Sequence, residues 1–279
     1  MRGASLDLRG ATLDLYDLAA LESALAGTVF AGKLHFSPVT DSTNSDALQA
    51  ARSSAPHGSV YFTDEQRTGR GRGDHAWDSA AGEGLYVSVL LRTPIPAVRL
   101  PLLPLAAGLA AAEAIRAVAG LAFGHNIDLR WPNDLLIGPR KVGGILVESK
   151  IFGGSADFVV VGIGINVHQR AFDSELSTPA TSLDLETERS VSRQHLLAAL
   201  LKSLECEVLL LLDSEATIKI PARVEQASTW IRGRRVEVHG PQACTGVTAG
   251  LDENGFLMVR TDSGIVTVQT GGIRAAEIS

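Results

Sequence analysis

The chain has 279 residues, 45% of them hydrophobic and 20% charged, and 25 Lys and Arg against 31 Asp and Glu give a net charge of -6. That length supports a large core, with one main domain and a smaller companion, and the acidic balance argues against a broad nucleic-acid footprint, which needs a basic face. Two cysteines, Cys206 and Cys244, make neither a disulfide framework nor a metal spacing, so a reducing cytoplasm is expected.

The first residues, MRGASLDLRGATLDL, carry Asp7, Arg9 and Asp14 where a signal peptide needs an apolar run, so no export signal is expected. Asp17 is placed to cap a short helix over 17–26, and DSTN at 41–44 is a cap cluster leading into a second helix that ends near 54. A strand is predicted from Ser59, followed by the loop TGRGRGDHAW (68–77), and LYVSVLLR (85–92) reads as a second strand. The apolar stretch from Leu100 to Phe123 contains Pro101, Pro104, Glu113 and Arg116. The last two lie three apart on one helical face, which predicts a buried amphipathic helix and not a membrane span.

Three strands are expected next, in IDLRWPND, KVGGILVESKI and DFVVVGIGINV. The third is apolar on both faces and belongs at the centre of a sheet. Residues 191–212 read as a long helix. After Trp230 the pattern changes to four short alternating strands with turn signals between them, which predicts a β-barrel of about 50 residues.

Four stretches carry candidate chemistry. In Gly69–Arg70–Gly71–Arg72–Gly73, glycine lets the backbone approach a ligand closely, and arginine offers a planar fork to an oxyanion. The stretch lacks the Lys-Ser/Thr of a P-loop, and no helix-forming run follows it as a dinucleotide fingerprint requires. A surface loop, or an arginine–glycine segment touching RNA, is the plain alternative. In RWPNDLLIGPRKVGGIL (130–146), Pro132 ends a strand, Asn133 and Asp134 sit at a turn, and Lys141 opens the next strand before Gly143–Gly144. An ordinary hairpin accounts for the turn residues, but not for a Trp, Asn, Asp and Lys gathered around it. Ser42–Thr43–Asn44 alone fits a helix cap, and Gly162–Ile163–Gly164–Ile165–Asn166 alone fits a strand end or a turn.

In this order, the four stretches resemble the biotin–protein ligases of the short type, without an N-terminal DNA-binding domain. The matching residues are Ser42–Thr43–Asn44, Gln66, Gly69–Arg70–Gly71–Arg72, Trp77, Trp131–Pro132–Asn133–Asp134, Lys141, Gly144–Ile145–Leu146 and Gly162–Ile163–Gly164–Ile165–Asn166. The resemblance implies an α/β (α+β) fold with a mixed, mostly antiparallel sheet and packed helices, as in class II synthetases. It places a catalytic domain at 1–231 and an SH3-like barrel at 232–279. Two departures stand out: Asp74 and His75 replace a second Gly-Arg, and Arg130 replaces the lysine before Trp-Pro-Asn-Asp.

The implied reaction joins biotin and ATP into biotinyl-5'-AMP, then transfers biotin to one lysine of a biotin carboxyl carrier domain, with Mg2+ accompanying the phosphates. By resemblance, Ser42, Thr43, Asn44 and Gln66 bind biotin together with Gly69, Arg70, Gly71, Arg72, Lys141 and Gly144. Trp77, Asn133, Asn166 and Arg72 meet ATP. Arg70, Lys141 and Arg130 supply charge for catalysis, and Asp134 orients or helps deprotonate the incoming lysine. No protein metal cage, DNA partner or membrane is implied, and a homodimer through a sheet edge is the family habit. The alternatives are a lipoate–protein ligase and a non-catalytic biotin or RNA binder.

Overall fold

The computed structural model describes residues 15–73, 75–120, 126–187 and 189–276. Asp74 and the first fourteen residues, including Asp7, Arg9 and Asp14, lie outside them, as does the end of the long apolar stretch at Phe123.

Seven strands form the main sheet: β1 (Leu34–Thr40), β2 (Ser59–Gln66), β3 (Gly84–Leu91), β4 (Ile127–Arg130), β5 (Asp134–Ile137), β6 (Arg140–Phe152) and β7 (Ser155–Asn166). Their order is β1-β2-β3-β7-β6-β5-β4, so the strand that is apolar on both faces is central, as expected. Only β1 and β2 run parallel, so the sheet is mixed and mostly antiparallel.

Strand alternation divides the two faces. Leu85, Val87, Val89 and Leu91 of β3 and Val159, Val161, Ile163 and Ile165 of β7 join one core cluster. That cluster is closed by α3 (Leu103–Ala119), which buries a stripe of Leu and Ala, and α4 (Arg193–Leu212), which buries a stripe of Leu. A fully buried Leu contributes roughly 1.5–3 kcal/mol. The opposite face receives α2 (Thr43–Arg52), whose Ala47 and Ala51 pack on Leu90, Phe158 and Val160. The helix spanning Ala97–Ala119 is long and apolar enough to cross a membrane by length and composition, but most of it is buried here. Glu113 and Arg116 pair at 3.2 Å on its exposed side, as their spacing predicts. Asp17 caps α1 (Leu18–Ala24) through its side chain.

The second sheet is wholly antiparallel. Its strands are β8 (Arg232–His239), β9 (Cys244–Leu251), β10 (Leu257–Thr261), β11 (Gly264–Val268) and β12 (Gly272–Ala275), in the order β11-β10-β9-β8-β12, consistent with an SH3-like barrel. The linker before it is bonded to β4: Thr229 N and Oγ1 both donate to Asp128, and Ser228 Oγ donates to the Leu129 carbonyl. Trp131 Nε1 donates to the Gly255 carbonyl of the barrel at 3.1 Å.

Three strands escape the sequence reading. β1 carries Pro38, which a sheet edge tolerates. β5 is separate from β4, so Asp134 starts a strand and does not sit in the turn. β12 is four residues long.

Candidate active site

The four stretches meet at one cleft of about 670 Å3 between the main sheet and the barrel. Its floor is main chain. A Cβ added at Gly162 would stand 2.0 Å from Asn44 Oδ1, and one at Gly164 would stand 2.7 Å from Trp77 Nε1. Glycine at both positions therefore lets Asn44 and the Trp77 indole lie directly on β7. Trp77 also lies beside Gly144, with the Lys141 ammonium 5.3 Å from its ring centroid.

One wall is polar, buried and threaded by hydrogen bonds. Gln66 Oε1 accepts from Thr43 N at 3.0 Å, and Gln66 Nε2 donates to Ser79 Oγ. Thr43 Oγ1 lies 2.8 Å from Ser88 Oγ, Ser88 Oγ donates to Asn44 Oδ1, and Asn44 Nδ2 donates to Glu148. Arg70 ends the run with a two-pronged pair to Glu148, at 3.2 and 2.7 Å. Ser42, Thr43, Asn44 and Ser88 are all at most 5% exposed. A buried polar group without a partner costs roughly 1–3 kcal/mol, so this arrangement is built rather than incidental. Ser42 occupies the cap position of α2, yet its side chain makes no cap bond. The stretch therefore starts the helix as expected, while the Ser42 side chain lines the cleft.

A second charged group also lines the cleft. Asp134 accepts from Arg130 Nη2 at 2.6 Å and pairs with Lys141 Nζ at 2.6 Å. Burial pushes the Asp134 carboxyl up, but the Lys141 and Arg130 charges and hydrogen bonds outweigh it, leaving the group below the usual carboxylate value. A carboxylate so held is a weak proton acceptor, which argues against Asp134 deprotonating a lysine. Arg130 also donates to Thr178 Oγ1 at 3.0 Å and faces the Trp230 ring at 5.3 Å, with Arg234 also on that ring at 3.8 Å.

The glycine–arginine segment is folded back as a hairpin: Trp77 N donates to the Gly69 carbonyl and Gly71 N to that of His75. Arg72 leaves it for the barrel, donating to the Gly271 carbonyl and to Thr270 Oγ1. Burial lowers the Arg72 pKa, while the nearby Asp134 charge raises it. Among the described residues Arg72 makes no ion pair, in contrast to Arg70, Arg130 and Lys141. Asp74 lies outside the described residues, and His75 lines the cleft.

Over residues 36–166 the chain matches the Biotin/lipoate A/B protein ligase family. It is 32% identical over 243 residues to the bifunctional ligase/repressor BirA of Bacillus spizizenii, a span of 86% of this chain and 73% of that protein. The chain belongs to the biotin/lipoate protein ligase family. Within the family, it is 30% identical over 236 residues to the biotin–[acetyl-CoA-carboxylase] ligase of Mycobacterium tuberculosis, covering 84% of this chain and 85% of that one. The solved biotin protein ligase from Aquifex aeolicus in complex with biotin and ATP superposes with a TM-score of 0.73 at 29% identity, over 87% of this chain and 98% of that one.

On this family scaffold the predicted residues gather as expected around one cleft: Ser42, Thr43, Asn44, Gln66, Arg70, Gly71, Arg72, Trp77, Arg130, Asn133, Asp134, Lys141, Gly144 and Asn166 all line it. Gly69 lies at the base of the hairpin, packed under Trp77 and Ser79. Asn133 and Asn166 serve as struts. The first donates to the Ile145 carbonyl and holds the turn against β6, and the second donates to the Thr181 carbonyl and holds the segment after β7. Sequence reasoning missed Ser88, Glu148 and the barrel residues Thr270 and Gly271. Ser88 had a local signal, as the one serine in a strand otherwise made of Gly, Leu, Val and Tyr.

Proposed function

We propose that this chain is an ATP-dependent biotin–protein ligase that acts through biotinyl-5'-AMP, with a catalytic domain at 1–231 and a barrel at 232–279. The observation that carries the reading is convergence. A neutral, hydrogen-bonding wall and a cationic wall line one cleft whose segments lie far apart in the chain. A ligand with a polar, uncharged head and a carboxylate tail suits the first wall and points its tail to the second.

Ser42, Thr43, Asn44 and Gln66 take the ureido head. In the first step a biotin carboxylate oxygen attacks the α-phosphorus, the bond to the β-phosphate oxygen breaks, and pyrophosphate leaves. Two anions meet there, so fixed positive charge is required. Arg72 and Lys141 supply it, and Asp134 acts by holding Lys141 and Arg130 in place. Trp77 offers the nucleotide a wall. In the second step the carrier lysine amine attacks the anhydride carbonyl carbon, the C–O bond to phosphate breaks, and AMP leaves as the nitrogen gives up its proton. The glycines and Arg72 keep water from the anhydride.

Mg2+ enters with the nucleotide. Both carboxylates of the walls are occupied by cations, and no cluster of three or more metal-ligating side chains occurs among the described residues. The acceptor is a lysine on a biotin carboxyl carrier domain, in keeping with the name of the mycobacterial relative, and a cytoplasmic setting fits the free thiols. Pyrophosphate release on adding biotin and ATP without carrier tests the reading. Release with lipoate in place of biotin, or none with biotin, would refute it.

A further inference from the structure

We infer that Glu148 is a positioning residue that fixes which hydrogen-bonding pattern the cleft shows to the ligand head. The inference rests on the biotin-ligase reading and names a specificity determinant within that site. The argument follows from what each group can do. An ionised carboxylate only accepts hydrogen bonds. Asn44 must therefore turn its NH2 to Glu148, at 2.8 Å, and its oxygen to Ser88. Ser88 spends its one proton on that oxygen, so it accepts from Thr43, 2.8 Å away. A hydroxyl could point either way, and an amide could be turned over. Glu148 alone in this set has a single polarity, and Arg70 holds it with two prongs.

The set has no room to relax. Asn44 is 4% exposed and lies flat on Gly162, and Ser88 is fully buried. With this polarity, Asn44 keeps one N–H, and Thr43 Oγ1, whose single proton lies between Ser88 Oγ and Gln66 Oε1, keeps its lone pairs for the ligand. Such a wall matches a cyclic urea, whose carbonyl accepts and whose N–H groups donate. Turned over, Asn44 would present oxygen where it now presents N–H, and the wall would match a cyclic guanidine.

The test compares biotin with 2-iminobiotin, which replaces the urea carbonyl by a C=N donor. Glu148→Gln keeps length but lets the side chain donate, so the ratio of KM for 2-iminobiotin to KM for biotin should fall roughly tenfold or more. Glu148→Ala, which leaves Asn44 free to turn, should narrow the ratio too. Ser88→Ala removes a hydroxyl that has no polarity of its own and should weaken both ligands while keeping the ratio. If the ratio is unmoved in Glu148→Gln and Glu148→Ala, or narrows as much in Ser88→Ala, the role of Glu148 is overturned. Should Glu148→Gln not fold, the two alanine variants carry the same comparison. A wild type that releases no pyrophosphate from biotin and ATP would refute the ligase reading itself, and is thus distinguished from an active wild type with an unmoved ratio.

Discussion

Arg72 of the glycine–arginine hairpin donates through Nη2 to Thr270 Oγ1 of the barrel at 2.9 Å, so one guanidinium ties together two segments almost two hundred residues apart. With its second bond, to the Gly271 carbonyl, it joins the hairpin to the barrel at the rim of the cleft that both line. The charge is partly buried and has no carboxylate partner among the described residues, which suits it to an anionic ligand.

Arg72→Gly should therefore leak the adenylate. With biotin, ATP and a carrier-free bystander protein, the variant should label bystander lysines that the wild type leaves untouched. Thr270→Val, which removes one of the two ties, should leak less. An Arg72→Gly variant that leaves bystander lysines as unlabelled as the wild type does would disprove containment by this residue.

The two floor glycines should separate the two substrates. In Gly162→Ala the new methyl displaces Asn44, so the KM for biotin should rise roughly tenfold or more, with a smaller change for ATP. In Gly164→Ala it displaces Trp77, and the larger change should fall on ATP. Steady-state kinetics with each substrate varied in turn checks the pair.

Asp134→Asn should cut the rate of pyrophosphate release by roughly a hundredfold, because Lys141 and Arg130 lose the anion that places them. The same variant reads out pH-dependent stability. The folded carboxyl lies below its usual value, so on acidification the unfolded chain binds this proton first. Its contribution is complete above about pH 5 and is lost as pH falls through the folded value. Melting temperature should fall more steeply on acidification in the wild type than in Asp134→Asn.

Trp230→Leu should lower the unfolding free energy by about 2 kcal/mol in urea titrations, since the buried indole packs against both Arg130 and Arg234. It should also slow adenylation, because Arg130 loses the surface that orients it. A variant with wild-type stability would show that the stack contributes nothing.

Much of this site could be read from residue types alone, because its glycines and cations sit in short stretches with chemistry of their own. The central strand, the long helices and the charged pair on α3 follow from periodicity, which is local. What stayed hidden depends on distance in the chain. Glu148 looks like one more acid on a strand until folding sets Arg70 and Asn44 beside it. Asp134 looks like a free turn carboxylate until β4, β5 and β6 bring Arg130 and Lys141 to it. β1 was obscured by Pro38 and by a mixed burial pattern, both of which an edge position permits.

A binding surface paved with backbone has nothing to substitute. Any enlargement of residues 162 or 164 intrudes on a neighbour, so the base of the recess is fixed by peptide geometry rather than by choice of side chain. Drift toward a different vitamin must therefore proceed from the sides, through α2, the hairpin and the barrel rim, while the bed beneath stays constant.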